Sequence, residues 1–197
     1  MKKIVPFRIN IYTDNIANSI NCQDMANQII EYHKTQPSEN LSNKGGWQSQ
    51  VLTKQDTSYN IISPIVDIIM PSIHEIFLEH GIKKSKYRLG YWFNINRKYN
   101  YNTSHNHLGA GSLFSAVVWL KVPNNSGRIV FEQPQTMVMP TKFDELNENN
   151  YNTFFCGPIE GDVVVFPSLL YHHVEQNLTE DADDRRVSIA FNFYLNA

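Results

Sequence analysis

Two cysteines in 197 residues, Cys22 and Cys156, are too few for a disulfide framework and lie in unrelated contexts with no metal-ligand spacing. A chain of this length can bury roughly 70% of its unfolded surface, so it needs neither device to fold. An excess of one charge is also missing. Seventeen basic and nineteen acidic residues are interspersed and sum to −2, which gives no face for phosphates and leads us to expect no nucleic-acid partner. Nine glycines and nine prolines exclude collagen-like and low-complexity character. Long apolar runs of the kind that span a bilayer are not apparent, and MKKIVPFRINIYTDN lacks the continuous apolar region of a signal peptide. The expectation is a cytoplasmic protein with no membrane partner. No repeat or linker divides it, and nothing in the pattern fixes its oligomeric state.

What is present falls into two textures. Residues 1–85 read as a strand at 4–12, a helix that begins at an Asn21 cap and ends before Pro37, and a helix over 63–80 kinked at Pro71 and capped by Gly81. Between the helices, NKGGWQS turns sharply at a glycine pair and sets Trp47 on a corner. From residue 86 the chain becomes a series of short β-branched and aromatic runs: 87–96, 112–122, 128–132, 136–139, 152–159, 162–166 and 186–195. They are separated by turn-forming segments such as PNNSG and GPIEGD. The fold expected is mainly β with supporting helices, an antiparallel barrel or jelly roll over 86–197 buttressed by 1–85, all in one domain.

Seven histidines carry the chemical signal. His33, His74 and His80 fall on helical surface. His105 and His107 form HNH before the apolar run SLFSAVVWL, and residues i and i+2 of a strand project to one face. Spacing alone leaves two readings, a metal-binding pair or two solvated histidines in a polar stretch. A third element then appears in VVVFPSLLYHHVEQN, where only one of the neighbours His172 and His173 can face the interior. Further on, RVSIAFNFYL puts Arg186 and Ser188 on one face of an otherwise apolar strand. A guanidinium there needs a partner, and its planar fork with a hydroxyl beside it suits a carboxylate.

The ordered set of HxH, an apolar strand, a Pro/Gly-rich turn, FPS followed by His172, then RxS and FN resembles the 2-oxoglutarate and Fe(II)-dependent oxygenases. It is most similar to the prolyl-hydroxylase-like branch. The resemblance covers about residues 91–194. It implies a double-stranded β-helix, a jelly roll of the cupin type, with Fe(II) at its open end. By position, His105 and His107 match the family's HxD/E pair, and His172 its distal histidine. Arg186 and Ser188 match the pair that holds the far carboxylate of 2-oxoglutarate, and Asn94 falls near a further polar contact to that cosubstrate. The activity implied is hydroxylation of a small molecule or a prolyl or other peptidyl residue, using O2 and releasing succinate and CO2.

One residue departs from the pattern. His107 stands where the family places a carboxylate, so the site carries one more unit of positive charge than a two-histidine, one-carboxylate triad. Three histidines also suit zinc with an open fourth position or a dioxygenase that uses no 2-oxoglutarate, and a silent binding barrel is the third alternative. In the oxygenase reading, Ser115, Val117 and Trp119 line one cavity wall, and the loop around Trp47 contacts substrate.

Overall fold

The structure is a computed structural model that describes residues 1–2, 8–83, 87–134, 143–145, 147 and 150–195. Eleven strands are assigned among these: β1 (Tyr12–Asn15), β2 (Asn43–Lys44), β3 (Trp47–Gln48), β4 (Tyr87–Asn96), β5 (Tyr101–His105), β6 (Phe114–Lys121), β7 (Ile129–Glu132), β8 (Thr153–Cys156), β9 (Asp162–Pro167), β10 (His172–Val174) and β11 (Arg186–Leu195). Two helices, α1 (Cys22–His33) and α2 (Tyr59–Glu79), precede β4. The strands form two antiparallel sheets, a larger one in the order β1-β9-β6-β11-β4-β3 and a smaller one in the order β2-β5-β10-β7-β8.

The larger sheet is built on β4 and β11, whose ten residues pair throughout, from Arg186 opposite Asn96 to Leu195 opposite Tyr87. On one face their alternating large apolar residues, among them Tyr91, Phe93, Phe191 and Phe193, join Met25 and Ile29 of α1 and Ile65, Ile69, Ile73 and Phe77 of α2 in a single buried cluster. A second cluster of Trp119, Ile129, Phe131, Val164, Phe166 and Leu170 fills the space between the two sheets. That intersheet layer also holds most of the buried polar residues discussed below.

Local sequence accounts for the helices. The Asn21 side chain accepts a hydrogen bond from the Asp24 amide at 3.0 Å, which caps α1. α2 starts one turn earlier than expected, at Tyr59, and runs through both Pro64 and Pro71 as one element. Pro64 supplies no amide for the Asn60 carbonyl, which the Ser63 hydroxyl approaches at 3.4 Å. By length and composition α2 is apolar enough to cross a membrane, contrary to the sequence reading, but its Ile62, Ile65, Val66, Ile69 and Ile73 are buried in the core.

Other expectations shift. In the strand placed at 4–12, residues 4–7 lie outside the described residues, and the observed strand begins at Tyr12. The run at 136–139 also lies outside them. Residues before 86 contribute β1, β2 and β3 to the sheets as well as the helices. Strand β2 pairs with β5 and β3 with β4, so the Gly45–Gly46 turn carries the chain from one sheet to the other. Gly45 has φ +74°, and a Cβ on Gly46 would lie 2.6 Å from Asn96 Nδ2 and 3.0 Å from the Ile95 carbonyl oxygen. The crossing leaves no room for a side chain.

Candidate functional site

Strands β5 and β10 pair so that His105 lies directly opposite His172. His107 comes from just beyond the end of β5, at the start of a 3₁₀ turn (Leu108–Ala110), with its amide bonded to the Ser168 carbonyl at 2.8 Å. The same-face strand argument therefore fails for the HNH pair, because the chain has left the sheet before His107. The turn brings its ring back. Centroids lie 4.3 Å apart for His105 and His172, 5.2 Å for His105 and His107, and 5.1 Å for His107 and His172. One ligand atom from each ring falls within 4.8 Å of the others. His173 turns away and meets Glu132 at 3.4 Å.

Nδ1 of His105 is 2.8 Å from the Thr103 carbonyl oxygen, and Nδ1 of His172 is 2.9 Å from that of Leu170. Carbonyls only accept, so both Nδ1 atoms carry the proton and both Nε2 atoms present a lone pair. Burial disfavours the imidazolium in all three rings, aided for His107 and His172 by the neighbouring His105. The His107 pKa is pushed down to about 4, His105 is lowered, and His172 is driven well below the ordinary histidine range. Three neutral imidazoles around one point form a donor set for a transition metal.

The depressed values make stability depend on pH. The unfolded chain takes up these protons near pH 6.5 and the folded chain does not, so the unfolded state binds more protons in the window below 6.5 and stability falls as pH falls. For His107 the loss is complete only below about pH 4 and amounts to about 3 kcal/mol. Denaturant titrations of metal-free protein between pH 8 and pH 4 should show the midpoint dropping through this window. A flat profile would contradict neutral burial of the cluster.

Behind the histidines lies a narrow cavity of about 50 Å³, lined among others by Trp92, Asn94, Trp119, Arg186 and Ser188. Ser188 sits opposite Asn94 in the β11–β4 pairing and Arg186 two residues away opposite Asn96, so all four share the cavity face. Arg186 is 1% exposed, and desolvation lowers its pKa to about 10. Its Nη1 donates to the Ser126 carbonyl and, at 3.4 Å, to the Glu175 carbonyl. Nη2 has no hydrogen-bond partner among the described residues, and neither does the Asn94 side-chain oxygen. A buried cation with an unused N–H group calls for an anion.

In front of the histidines a wider cavity of about 450 Å³ opens, lined by Leu41, Gln48, Val51, Asn106 and Tyr194 among others. His105, His107, Trp92 and Ser42 line both cavities, so two of the three histidines stand between them, while His172 lines the inner one. Val117 and Trp119 line the inner cavity as expected, whereas Ser115 is fully buried against His107. Trp47 is not among the residues lining either cavity. Its indole N–H donates to the Gln36 and Pro37 carbonyls at 3.2 Å, and its ring packs on Tyr32 and His33. Its neighbour Gln48, to which sequence reasoning gave no role, faces the outer cavity instead; alternation along β3 is the signal that finds it.

Comparison with known proteins assigns this arrangement. A family model described as "Putative 2OG-Fe(II) oxygenase" matches residues 90–192, a span that contains all three histidines, Arg186 and Ser188. The chain belongs to this oxygenase family. No curated protein matches it. Among solved structures, the oxygenase is similar to a Pseudomonas putida prolyl-4-hydroxylase, at 13% identity over 95% of this chain and 93% of that one with a TM-score of 0.62. A Trichoplax adhaerens prolyl hydroxylase, solved with a hypoxia inducible factor oxygen degradation domain peptide fragment, matches at 12% identity over 93% and 83% with a TM-score of 0.64. HygX from Streptomyces hygroscopicus, solved with nickel and 2-oxoglutarate bound, matches at 11% identity over 94% and 83% with a TM-score of 0.61.

The protein is thus a 2-oxoglutarate-dependent oxygenase that uses Fe(II) and O2. Its residues fit these groups. The three neutral imidazoles offer ligand nitrogens to Fe(II), and the unused Arg186 Nη2 offers a charge-assisted bond to a carboxylate. The Ser188 hydroxyl stands beside it, and Asn94 can contact the same carboxylate by presenting the nitrogen edge of its amide.

Proposed function

We propose that the oxygenase is a single-domain cytoplasmic enzyme, a double-stranded β-helix over residues 86–197 buttressed by N-terminal helices, with no nucleic-acid or membrane partner. His105, His107 and His172 hold Fe(II). Arg186 and Ser188, with Asn94, hold the far carboxylate of 2-oxoglutarate in the inner cavity, and the outer cavity takes a small molecule or a prolyl or other peptidyl residue for hydroxylation. The observation that carries this reading is the alignment of an unpaired buried guanidinium, three neutral imidazoles and an open cavity, in that order.

When bound, Fe(II) and 2-oxoglutarate supply the oxidising chemistry with O2, releasing succinate and CO2. The chain's own contribution is placement. Arg186 neutralises one charge of the dianion at the closed end and fixes which carboxylate remains near the histidines. Trp92, Trp119 and Phe166 wall the inner cavity and limit water there. A family carboxylate replaced by neutral His107 leaves the metal with its full double charge, which favours a dianionic ligand electrostatically. Anaerobic addition of Fe(II) and then 2-oxoglutarate should produce a weak visible metal-to-ligand band. Protein that holds iron at full occupancy and gives no band on saturation with 2-oxoglutarate would overturn the cosubstrate assignment.

A further inference from the structure

His107 differs from the other two histidines in what holds it. The Nδ1 atoms of His105 and His172 donate to backbone carbonyls two residues earlier, which no side-chain substitution removes. His107 Nδ1 instead lies 2.7 Å from Ser115 Oγ and 2.8 Å from Asn192 Oδ1. The amide oxygen only accepts, whereas the serine taken alone leaves the ring in either tautomer, since a hydroxyl donates as well as accepts.

The direction of the surrounding hydrogen bonds removes that freedom. Ser112 donates its single hydroxyl proton to the Phe114 carbonyl at 2.8 Å, shared with the Phe193 carbonyl at 3.2 Å. It must therefore accept from Ser168, 2.9 Å away, and that uses the Ser168 proton. Ser168 in turn can only accept from Ser115 at 2.7 Å. The Ser115 proton is directed to Ser168 or to Asn192 Oδ1, also at 2.7 Å, and both directions leave its oxygen as an acceptor toward His107. Asn192 points its nitrogen at the Tyr194 hydroxyl, 3.2 Å away, which turns its oxygen to the ring. Ser112, Ser115, Ser168 and Asn192 are all buried. The β11–β6 pairing sets Asn192 directly opposite Ser115, so the sheet itself holds the two acceptors together.

We propose that Ser115 and Asn192 are positioning residues that fix His107 as the Nδ1-protonated tautomer, so that a side-chain network makes a histidine serviceable where the family uses a carboxylate. The inference rests on the three-histidine reading above. A carboxylate ligand needs no tautomer, and this network is what the substitution by His107 requires in its place.

The test compares Ser115→Ala/Asn192→Leu with the parent protein, and repeats the pair of measurements in a His107→Asp background. Co(II) affinity, measured by competition with a chelating dye, should fall 10- to 100-fold in the double variant, as for other residues that orient a metal-bound histidine. Asn192→Asp, which keeps an acceptor oxygen at the same place, should restore it to within threefold. In the His107→Asp background the double substitution should change affinity less than threefold. ¹⁵N NMR of the metal-free protein should show one imidazole, identified by its loss in His107→Asp, as a pure Nδ1–H tautomer that becomes a mixture in the double variant. An unchanged tautomer, or an equal affinity loss in both backgrounds, would overturn the inference. Parent protein that binds no Co(II) would instead sink the three-histidine reading, and the tautomer measurement would still decide whether the network acts on His107.

Discussion

His172→Ala is expected to weaken Fe(II) or Co(II) binding at least about 100-fold, while His173→Ala leaves it within threefold. The two side chains are neighbours on β10 and must point to opposite faces. His172 is 4% exposed, faces the intersheet layer and packs on Phe166 at a centroid distance of 4.7 Å. His173 is partly exposed on the other face beside Glu132. Removing His172 would delete one of the three proposed ligands and leave a gap walled by Phe131 and Phe166. Anaerobic calorimetry on the two variants separates the cases, and comparable losses in both would mean that the metal is held elsewhere.

Arg186→Met is expected to abolish 2-oxoglutarate binding and leave the metal in place. Breaking one side of a buried charge pair costs about 3–5 kcal/mol, which corresponds to a loss of at least about 100-fold in affinity. In the protein without cosubstrate, however, the guanidinium is a buried cation whose only described acceptors are two carbonyls. Methionine removes the cost of burying that charge and leaves those carbonyls without a donor. The two effects oppose, and we expect the thermal midpoint without ligand to be retained. A saturating ligand stabilises the parent protein by mass action, about 2.7 kcal/mol at a hundredfold excess over Kd, which raises its midpoint, and should not move that of the variant. The measurement is a thermal melt with and without 2-oxoglutarate at fixed metal. A ligand-induced shift that survives in the variant would remove Arg186 from the cosubstrate site.

How far the sequence reveals this structure depends on what each strand faces. β4 and β11 match the expected ranges residue for residue, since Tyr91, Phe93, Phe191 and Phe193 face a hydrocarbon core and leave an unmistakable alternation. β5, YNTSH, and β10, HHV, escape notice because one face of each lines a polar cavity and their side chains are chosen for that lining. The histidines could be singled out by order and motif, but not the route that joins them. His107 reaches its neighbours through a turn whose anchor, the Ser168 carbonyl, is far away in the chain. Ser168 and Asn192 stand in the sequence as letters of FPS and FN, and no local pattern there shows that one binds the His107 amide and the other its ring.

The direct pairing of His105 with His172 also bears on the chain's lack of disulfides. β10 has three residues, and the smaller sheet is held at this point by few backbone bonds. A ligand shared by residues so far apart in sequence is a reversible cross-link, restricting the unfolded chain as a disulfide would, but removable by acid or chelation. Bound metal would therefore stabilise the smaller sheet, and the two free cysteines take no part in that cross-link.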